Sequence, residues 1–334
     1  MKPPFSITNH ILNLIVEISH ITGRLQFQYE RNLHLRKENR IRSIQSSLAI
    51  ENNSLTIEQV TDIINGKRVL GNPKEIQEVK NAYDAYEEIL NFNPYSIGDF
   101  LKAHGLLTDG IVRQAGGFRH KDVGIFAADG TLLHMGARPQ FVPDLMEKLF
   151  AWAESDDTPM LVKSAVVHYE IEMIHPFEDG NGRIGRLWQS VMLSRWNPLF
   201  AWIPVETMVY SNQQGYYRVL AEADKANDST VFVEFMLDMV LQTLKTYTFD
   251  SISDMAGVKI SEKARQAYLA IRRYLEENTE ISNSRAQQLT GKSAATVRKY
   301  LVELTEAGLL EAVGTGKGRV YRLVRDLKSK SFDN

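Results

Sequence analysis

The chain has 334 residues, of which 43% are hydrophobic and 24% charged, and its formal net charge is −2. It contains no cysteine, which excludes disulfides, thiolate nucleophiles and cysteine-ligated zinc. No stretch approaches 18 apolar residues, so we expect no membrane span and, because the first residues make a poor signal peptide, a cytoplasmic location.

Charge is spread unevenly along the chain. Residues 258–334 hold 15 Lys and Arg against 9 Asp and Glu, so the preceding residues carry the negative balance. A basic C-terminal segment suits a nucleic-acid or acidic partner, although an excess of this size is also common without one.

Helical periodicity dominates the first hundred residues. Apolar residues recur at three- and four-residue spacing over 7–45, and further helical patterns lie within 55–92 and 96–107. Between the first two patterns, residues 47–52 predict the end of a helix, with Asn52 in a left-handed stop.

Residues 116–143 differ in kind, because polar and apolar positions alternate there. Together with a turn at residues 128–130, this alternation predicts a β-hairpin. A helix is predicted again over residues 143–155.

Residues 175–186 read HPFEDGNGRIGR and join two predicted helices. Residues 164–174 predict the first helix, which Pro176 cannot continue because it lacks an N–H. Glycines around Asn181 allow successive backbone N–H groups to converge on one point. The second helix is predicted from Arg183, so its positive N-terminal end faces the same loop.

This loop combines four kinds of group. His175 is a titratable base, Asp179 is a carboxylate, the glycines form an anion-binding nest, and Arg183 and Arg186 are three residues apart. Such a set suits a polyphosphate bound with a divalent metal.

A protein-bound zinc site is an alternative for the helix before the loop. His168, Glu172 and His175 share one face at spacings of four and three residues. However, the HExxH pattern is absent and no further ligand is evident. We therefore expect His168, and likewise His104 upstream, to serve packing and hydrogen bonding.

The region after the loop is again helical, with residues 211–227 and the apolar run that follows. Residues 250–258 predict a polar connection. Beyond it, three helical patterns and two strands around a glycine-rich turn resemble a winged helix-turn-helix. In that interpretation Arg298 and Lys299 lie on the recognition helix, available to DNA, and residues 314–319 form the wing.

The loop resembles the signature of the Fic family, usually written HxFx[D/E]GNGRxxR. Every fixed position is met, by His175, Phe177, Asp179, Gly180, Asn181, Gly182, Arg183 and Arg186. The resemblance implies a mainly α fold with a Fic-type helical core and a β-hairpin flap, to which the tail adds the C-terminal winged helix as a separate module. We place an N-terminal helical region at 1–95, the catalytic core at 96–250 and the winged helix at 258–326.

The resemblance also implies an activity, the transfer of AMP from ATP to a Ser, Thr or Tyr hydroxyl of a target protein, with release of pyrophosphate. His175 would be the general base, and Asp179 would hold Mg²⁺ against the phosphates. Phe177 would anchor the loop. The nucleotide's phosphates would contact backbone N–H groups of the loop, the side chain of Asn181 and both guanidinium groups, a set that comprises Gly180, Asn181, Gly182, Arg183 and Arg186.

Beside this signature, residues 47–52 resemble the family's inhibitory motif [S/T]xxxE[G/N], with Ser47, Glu51 and Asn52 at the fixed positions. A glutamate paired with Arg186 would occupy the guanidinium that the γ-phosphate needs. The resemblance further implies a flap around residues 123–139 that holds the target by strand addition, and an adenine pocket for which Tyr217 is the candidate.

Other functions stay open. Relatives transfer phosphate, UMP or phosphocholine, and the same site could remove AMP from a target. The chain could also be chiefly a nucleotide-sensing regulator that binds DNA through its C-terminal domain. The expected partners are a target protein with a hydroxyl side chain and the chain itself, with DNA and a homodimer as open alternatives and no membrane.

Overall fold

The structure is a computed structural model that describes residues 2–29, 33–126, 132–255, 260–314 and 316–324. The chain divides into two compact units, Met1–Lys245 and Thr246–Asn334. Helices dominate both, as predicted. The helices that begin in the first unit are α1 (Asn9–Tyr29), α2 (Leu33–Ile50), α3 (Ile57–Ile64), α4 (Pro73–Glu87), α5 (Ile97–Thr108), α6 (Val142–Ser155), α7 (Met160–Ile174), α8 (Asn181–Trp196), α9 (Val205–Ser211), α10 (Gln213–Ala226) and α11 (Thr230–Met255). The last of them, α11, continues past Lys245.

Local sequence explains where several helices begin. Thr56 caps α3 in a capping box with Gln59, and Asn72 caps α4, whose first residue is a proline. Ser96 caps α5. These side chains accept hydrogen bonds from N–H groups that have no partner inside the helix.

The core of the first unit is built around α7 and α8, which contact each other along their length. Both helices are buried almost completely, so their sequences lack the polar face of a surface helix. An aromatic cluster lies beside α8, where Phe100 and Phe150 contact the fully buried Trp188 and Phe177 contacts Phe100.

The predicted hairpin is present as two short antiparallel strands, β1 (Gly124–Phe126) and β2 (Leu132–Met135). The register shifts between Ile125 and Phe126, which marks a bulge. The turn predicted at residues 128–130 lies outside the described residues.

Two predicted boundaries were wrong. Helix α8 begins at Asn181 rather than Arg183, so the glycine-rich segment already forms its first turn. Helix α11 continues to Met255, where a polar connection was predicted from residue 250. Ser and Asp are tolerated on a helix surface, and no glycine or proline interrupts that segment before residue 257.

The second unit has its own core. It contains α12 (Glu262–Glu277), β3 (Ile281–Ser282), α13 (Asn283–Thr290), α14 (Ala294–Glu306), β4 (Leu310–Val313) and β5 (Val320–Leu323). The strands form an antiparallel sheet in the order β3-β5-β4. Ser282 and Ser293 cap α13 and α14, as their sequences indicate. The two-residue strand β3 was not predicted, because only its pairing with β5 distinguishes it from a loop.

None of the helices within the described ranges is long and apolar enough to cross a membrane.

We expect Leu301→Ala, at a fully buried position of α14, to lower the free energy of unfolding of the second unit by about 2–5 kcal/mol. The neighbouring Val302→Ala should change it little, because Val302 is exposed. All four tryptophans precede residue 203, so chemical denaturation of the full chain should show the loss in helical circular dichroism and not in tryptophan fluorescence. Equal midpoints for the two variants by circular dichroism would contradict the packing described.

Candidate active site

The turn between α7 and α8 begins at His175, which closes α7 in a left-handed conformation (φ 52°, ψ 61°). Few residues other than glycine adopt this conformation. The side-chain Nδ1 of His175 lies 3.2 Å from the carbonyl oxygen of Glu172. Since a carbonyl oxygen only accepts, we assign the hydrogen to Nδ1, which leaves Nε2 unprotonated.

Burial lowers the pKa of His175. The nearby Glu172 acts in the opposite direction, whereas the positive charge of Arg119 and the ring of His134 lower the pKa further. The net shift is downward, so the imidazole is neutral at neutral pH and can accept a proton through Nε2.

Arg119 fixes the backbone around His175, and sequence reasoning missed it. Its side chain is 1% exposed, and its guanidinium donates to the carbonyl oxygens of His175 (2.7 Å), Lys121 (2.7 Å), Ile174 (3.3 Å) and Ala137. It thereby joins the end of α7 to the segments on both sides of the hairpin. The sequence indicates this role only by placing an arginine in a glycine-rich stretch. Backbone carbonyls outside helices and strands need hydrogen-bond donors there, and a guanidinium offers several N–H groups.

The side chain of Asn181 closes the loop. Its Oδ1 accepts the N–H of Phe177 and its Nδ2 donates to the Phe177 carbonyl, both at 2.9 Å. Both polar ends of the amide are therefore engaged with the loop backbone. That this side chain contacts phosphate stays a prediction.

Phe177 and His104 hold the loop in place through their stacked rings. Phe177 is fully buried, so its side chain serves as an anchor and does not face a ligand. Its ring stacks on His104 at 3.5 Å between centroids. His104 accepts the N–H of Gly116 at Nδ1 and donates from Nε2 to the carbonyl of Asp179. Burial lowers the pKa of His104 to about 4, which matches the neutral ring that these two contacts require.

Two glycines allow the loop to approach its neighbours closely. Gly180 has φ 86°, and a Cβ there would meet Thr108 at 3.0 Å. At Gly182 a Cβ would collide with the carboxylate of Glu51 and meet Arg186 Nη1 at 3.0 Å. The N-terminal turn of α8, which the Glu51 carboxylate covers at Gly182, is thus a place where an anionic group can reach the backbone N–H groups.

Asp179 and Arg183 flank this turn. The Asp179 side chain is 51% exposed, and its Oδ1 accepts from the N–H of Gly180 (2.6 Å) and from Arg183 Nη2 (3.0 Å). Arg183 is buried and also lies 3.4 Å from Glu78. Two carboxylates therefore hold the guanidinium of Arg183 beside the loop.

Arg186 is paired with the segment that the sequence singled out upstream. Its Nη2 donates to Glu51 Oε1 at 2.7 Å and to the carbonyl of Ser47 at 3.0 Å, and its Nε donates to Ser47 Oγ at 3.3 Å. Burial alone would lower the pKa of Arg186, but Glu51, Tyr216 and Glu172 outweigh it, so the pKa is raised. Arg186 stays charged in the interior because Glu51 neutralises it.

Glu51 therefore lies over the anion-binding turn itself, against Gly182 and Arg186. It follows directly after α2, and Asn52 takes the left-handed conformation (φ 66°) predicted for a helix stop. The segment 47–52 thus ends a helix, as its sequence predicts. The same helix end places the Glu51 carboxylate against Arg186, which is the pairing that the inhibitory motif implies.

Tyr217, the candidate for an adenine pocket, is 47% exposed. Its hydroxyl lies 3.2 Å from the carbonyl oxygen of Ile50, to which Gln213 Nε2 also donates at 2.8 Å. Tyr217 thus contacts the last turn of α2, close to Glu51.

The face of α7 that suggested zinc is a buried hydrogen-bond network. His168 is fully buried, and its ring nitrogens contact Gln189 Oε1 (2.8 Å) and the Tyr216 hydroxyl (3.0 Å). Glu172 lies 3.6 Å from His168 and accepts from the Tyr216 hydroxyl at 3.4 Å, and the net shift of its pKa is downward despite burial because His168, Arg186 and His175 are nearby. Within the described ranges, no group of three or more His, Cys, Asp or Glu could by itself hold a metal ion.

The hairpin is tied to the site through His134 on β2. The Nδ1 of His134 lies 3.0 Å from Asp224 Oδ2 on α10, and its Nε2 lies 2.8 Å from the Met173 carbonyl on α7. The strands occupy the segment predicted for a flap, and target binding there stays a prediction.

In the second unit, Arg298 and Lys299 are exposed on α14, the predicted recognition helix. The predicted wing, residues 314–319, is the turn between β4 and β5, and Thr315 within it lies outside the described residues. DNA binding stays a prediction.

Residues 94–193 match the model of the Fic/DOC family. Curated relatives include proteins named protein adenylyltransferase Fic from Drosophila persimilis, 25% identical over 276 residues, and from Culex quinquefasciatus, 27% identical over 225 residues. The two alignments cover 79% and 63% of this chain, respectively. The chain spans about half the length of the curated relatives it matches, 50% and 42% for these two.

One solved structure of a Fic family protein matches nearly the whole chain. The crystal structure of a Fic family protein from Desulfovibrio desulfuricans G20 is 40% identical, with a TM-score of 0.73, and the match covers 98% of this chain and 99% of that one. Fic-1 (aa134–508) from C. elegans shares the fold at 21% identity, with a TM-score of 0.58 and coverage of 73% and 74%. Fold and loop thus define a helical protein with a histidine beside an anion-binding turn. The chain belongs to the Fic family.

We expect Arg119→Ala to raise the pKa of His175, because removal of a nearby positive charge favours the imidazolium form. Arg119→Lys keeps the charge and should leave this pKa low, although a single ammonium cannot reach four carbonyls. Arg113→Ala, at an exposed position of the same segment, is the control.

The measurement is an NMR titration of the histidine ring protons, with His175→Ala used for assignment. An unchanged His175 pKa in Arg119→Ala would contradict the electrostatic contact described here.

Proposed function

We propose that this chain is a protein adenylyltransferase, which transfers AMP from ATP to the hydroxyl of a Ser, Thr or Tyr side chain. The observation that carries the proposal is the loop itself, where a neutral histidine precedes a helix N-terminus that bears Arg183 and Arg186. The names of the curated relatives support the same reaction class.

In the proposed reaction, His175 Nε2 takes the proton of the attacking hydroxyl. The hydroxyl oxygen forms a bond to the α-phosphorus of ATP, and the bond from that phosphorus to the bridging oxygen breaks, so pyrophosphate leaves. The first-turn N–H groups of α8, from Asn181 and Gly182, bind the phosphates. Arg183 and Arg186 balance the negative charge of the leaving group.

A divalent cation is expected with the nucleotide, and the donor set fits Mg²⁺. Asp179 offers a half-exposed carboxylate beside the phosphate-binding turn, and Mg²⁺ commonly takes one or two carboxylates with phosphate oxygens and water completing its shell. When bound, the ion would neutralise phosphate charge and orient the leaving group. Its binding requires Asp179 to share or release its contact with Arg183.

We further propose that the chain is autoinhibited in this conformation, in which Glu51 pairs with Arg186. Glu51 neutralises Arg186 and covers Gly182, the two places where the distal phosphates are expected. ATP entering beside Glu51 would meet a carboxylate in place of a guanidinium, so its phosphates would be misplaced for in-line attack.

The reverse reaction, removal of AMP from a modified target, is the second candidate, and Glu51 supports it. Its carboxylate is 39% exposed at the anion-binding turn and could position a water molecule. Incubation of an AMP-modified target with the full chain and Mg²⁺ separates the two directions, because release of free AMP marks removal.

His175→Ala should lose nearly all AMP transfer, since a positioned base contributes about 10²–10⁴ in rate. ATP binding should persist, because the phosphate contacts lie on α8. Transfer is measured with ATP labelled at the α-phosphate, and binding by calorimetry. His10→Ala, an exposed histidine, is the control. Near-normal labelling by His175→Ala would rule out the assigned base.

Glu51→Gly should raise self-labelling by about 10- to 100-fold, the effect expected when a hydrogen bond to a charged group no longer competes with the substrate. Glu58→Ala, at an exposed glutamate of α3, should label at the wild-type rate. A Glu51→Gly rate equal to or below wild type would refute autoinhibition. With tagged ATP in a lysate, the same variant would identify target proteins.

A further inference from the structure

A buried carboxylate on α9 connects the helix that carries the blocking segment to the helix that carries Arg186. Glu206 is 3% exposed. Its Oε1 accepts from the hydroxyls of Tyr86 on α4 (2.9 Å) and Ser190 on α8 (3.1 Å). Its Oε2 accepts from the hydroxyl of Ser43 on α2 (3.0 Å). One side chain thus joins α2, α4, α8 and α9.

The spacing along α2 links this contact to the blocking carboxylate. Ser43 and Ser47 are one helical turn apart, and Glu51 follows at the same spacing. Ser43 binds Glu206, whereas Ser47 and Glu51 bind Arg186. Helix α2 is therefore held at two consecutive turns, and the position of the first sets the position of the second.

Tyr86 is close to both contacts. Its hydroxyl donates to Glu206 at 2.9 Å, and both Ser47 and Arg186 act on its pKa. Burial raises the pKa of Tyr86, and the neighbouring charge of Glu206 raises it further, so the phenol keeps its proton and remains a donor. Glu206 and Arg186 also line one cavity of about 10 Å³.

The surroundings explain how a carboxylate is tolerated in this position. Burial raises the pKa of Glu206, and hydrogen bonds from its own backbone N–H, Tyr86, Ser43 and Ser190 oppose that shift. Glu206 also lies in the first turn of α9, where the helix dipole favours negative charge. The buried Arg40, on α2, interacts with it electrostatically. A polar group buried with this many partners specifies one arrangement of the helices it joins.

We propose that Glu206 is a positioning residue that holds α2 in its blocking position, so that loss of its contact with Ser43 releases Glu51 from Arg186. The regulatory consequence rests on the proposed AMP transfer. The structural consequence, the docking of α2, does not.

The first test measures the docking of α2 by hydrogen–deuterium exchange of the full chain, with no nucleotide. Ser43→Ala removes one hydroxyl and leaves Glu206 with two hydroxyl donors. We expect about 2- to 10-fold faster exchange of the amides at 41–53, the effect of one net hydrogen bond on an opening equilibrium. Glu206→Leu should act in the same direction, because it removes both acceptor oxygens.

Ser194→Ala is the matched control. Ser194 is also buried on α8, but its hydroxyl bonds only to the Val191 carbonyl of its own helix, so exchange over 41–53 should be unchanged. Thermal unfolding of each variant verifies that it is folded. Folded Ser43→Ala and Glu206→Leu proteins with wild-type exchange over 41–53 would overturn the proposal, as would equal acceleration by Ser194→Ala.

The second test measures self-labelling with ATP in the wild-type and Glu51→Gly backgrounds. We expect Ser43→Ala to raise the rate about 2- to 10-fold in the wild-type background and to add nothing once Glu51 is absent, because both changes free the same arginine. Equal gains in both backgrounds would refute the route through Glu51. If exchange over 41–53 accelerates while Glu51→Gly protein labels nothing, the docking role stands and the AMP-transfer proposal fails.

Discussion

The ion pair between Arg186 and Glu51 is the constraint on which the arrangement of the first unit depends. A guanidinium buried to this extent needs acceptors, and α2 supplies three: the Glu51 carboxylate and both oxygens of Ser47. The guanidinium of Arg186 has these acceptors only when α2 lies in one position along α8. The same contact places a carboxylate at the helix N-terminus that is suited to phosphate. Stability of the free protein and access to the site are therefore opposed.

The loop after α7 depends on side chains that bond to its own backbone or pack against it. Asn181 closes it by binding Phe177, His104 supports it from below, and Arg119 gathers the carbonyls at its start. Together they hold His175 in a left-handed conformation that it would rarely adopt alone. Preorganisation of this kind lets the N–H groups and the imidazole meet a substrate without rearrangement.

Glu206 contacts α2 one helical turn before Ser47, through the hydroxyl of Ser43. A carboxylate that receives three hydroxyls from three helices is an unusual use of a buried charge, and it lies where α2 could separate from α8. If the blocking segment is the closed state of a switch, the network around Glu206 sets how far the equilibrium favours closure. A partner or modification that acts on α2 would then reach the active site without contacting it.

The sequence by itself determined the helical fold, the helix-ending role of residues 47–52 and the chemistry of residues 175–186, because these depend on local rules: proline ends α7, glycines free the backbone, and hydroxyl side chains cap helices. It also indicated that Glu51 and Arg186 belong together, through resemblance to a known motif. Only the tertiary structure decided that Asn181 binds its own loop, that Tyr217 contacts α2, and that Arg119 and Glu206 hold the elements around the site. These contacts join residues that are distant in sequence, and a single buried polar side chain leaves no periodic signal from which its partners could be read.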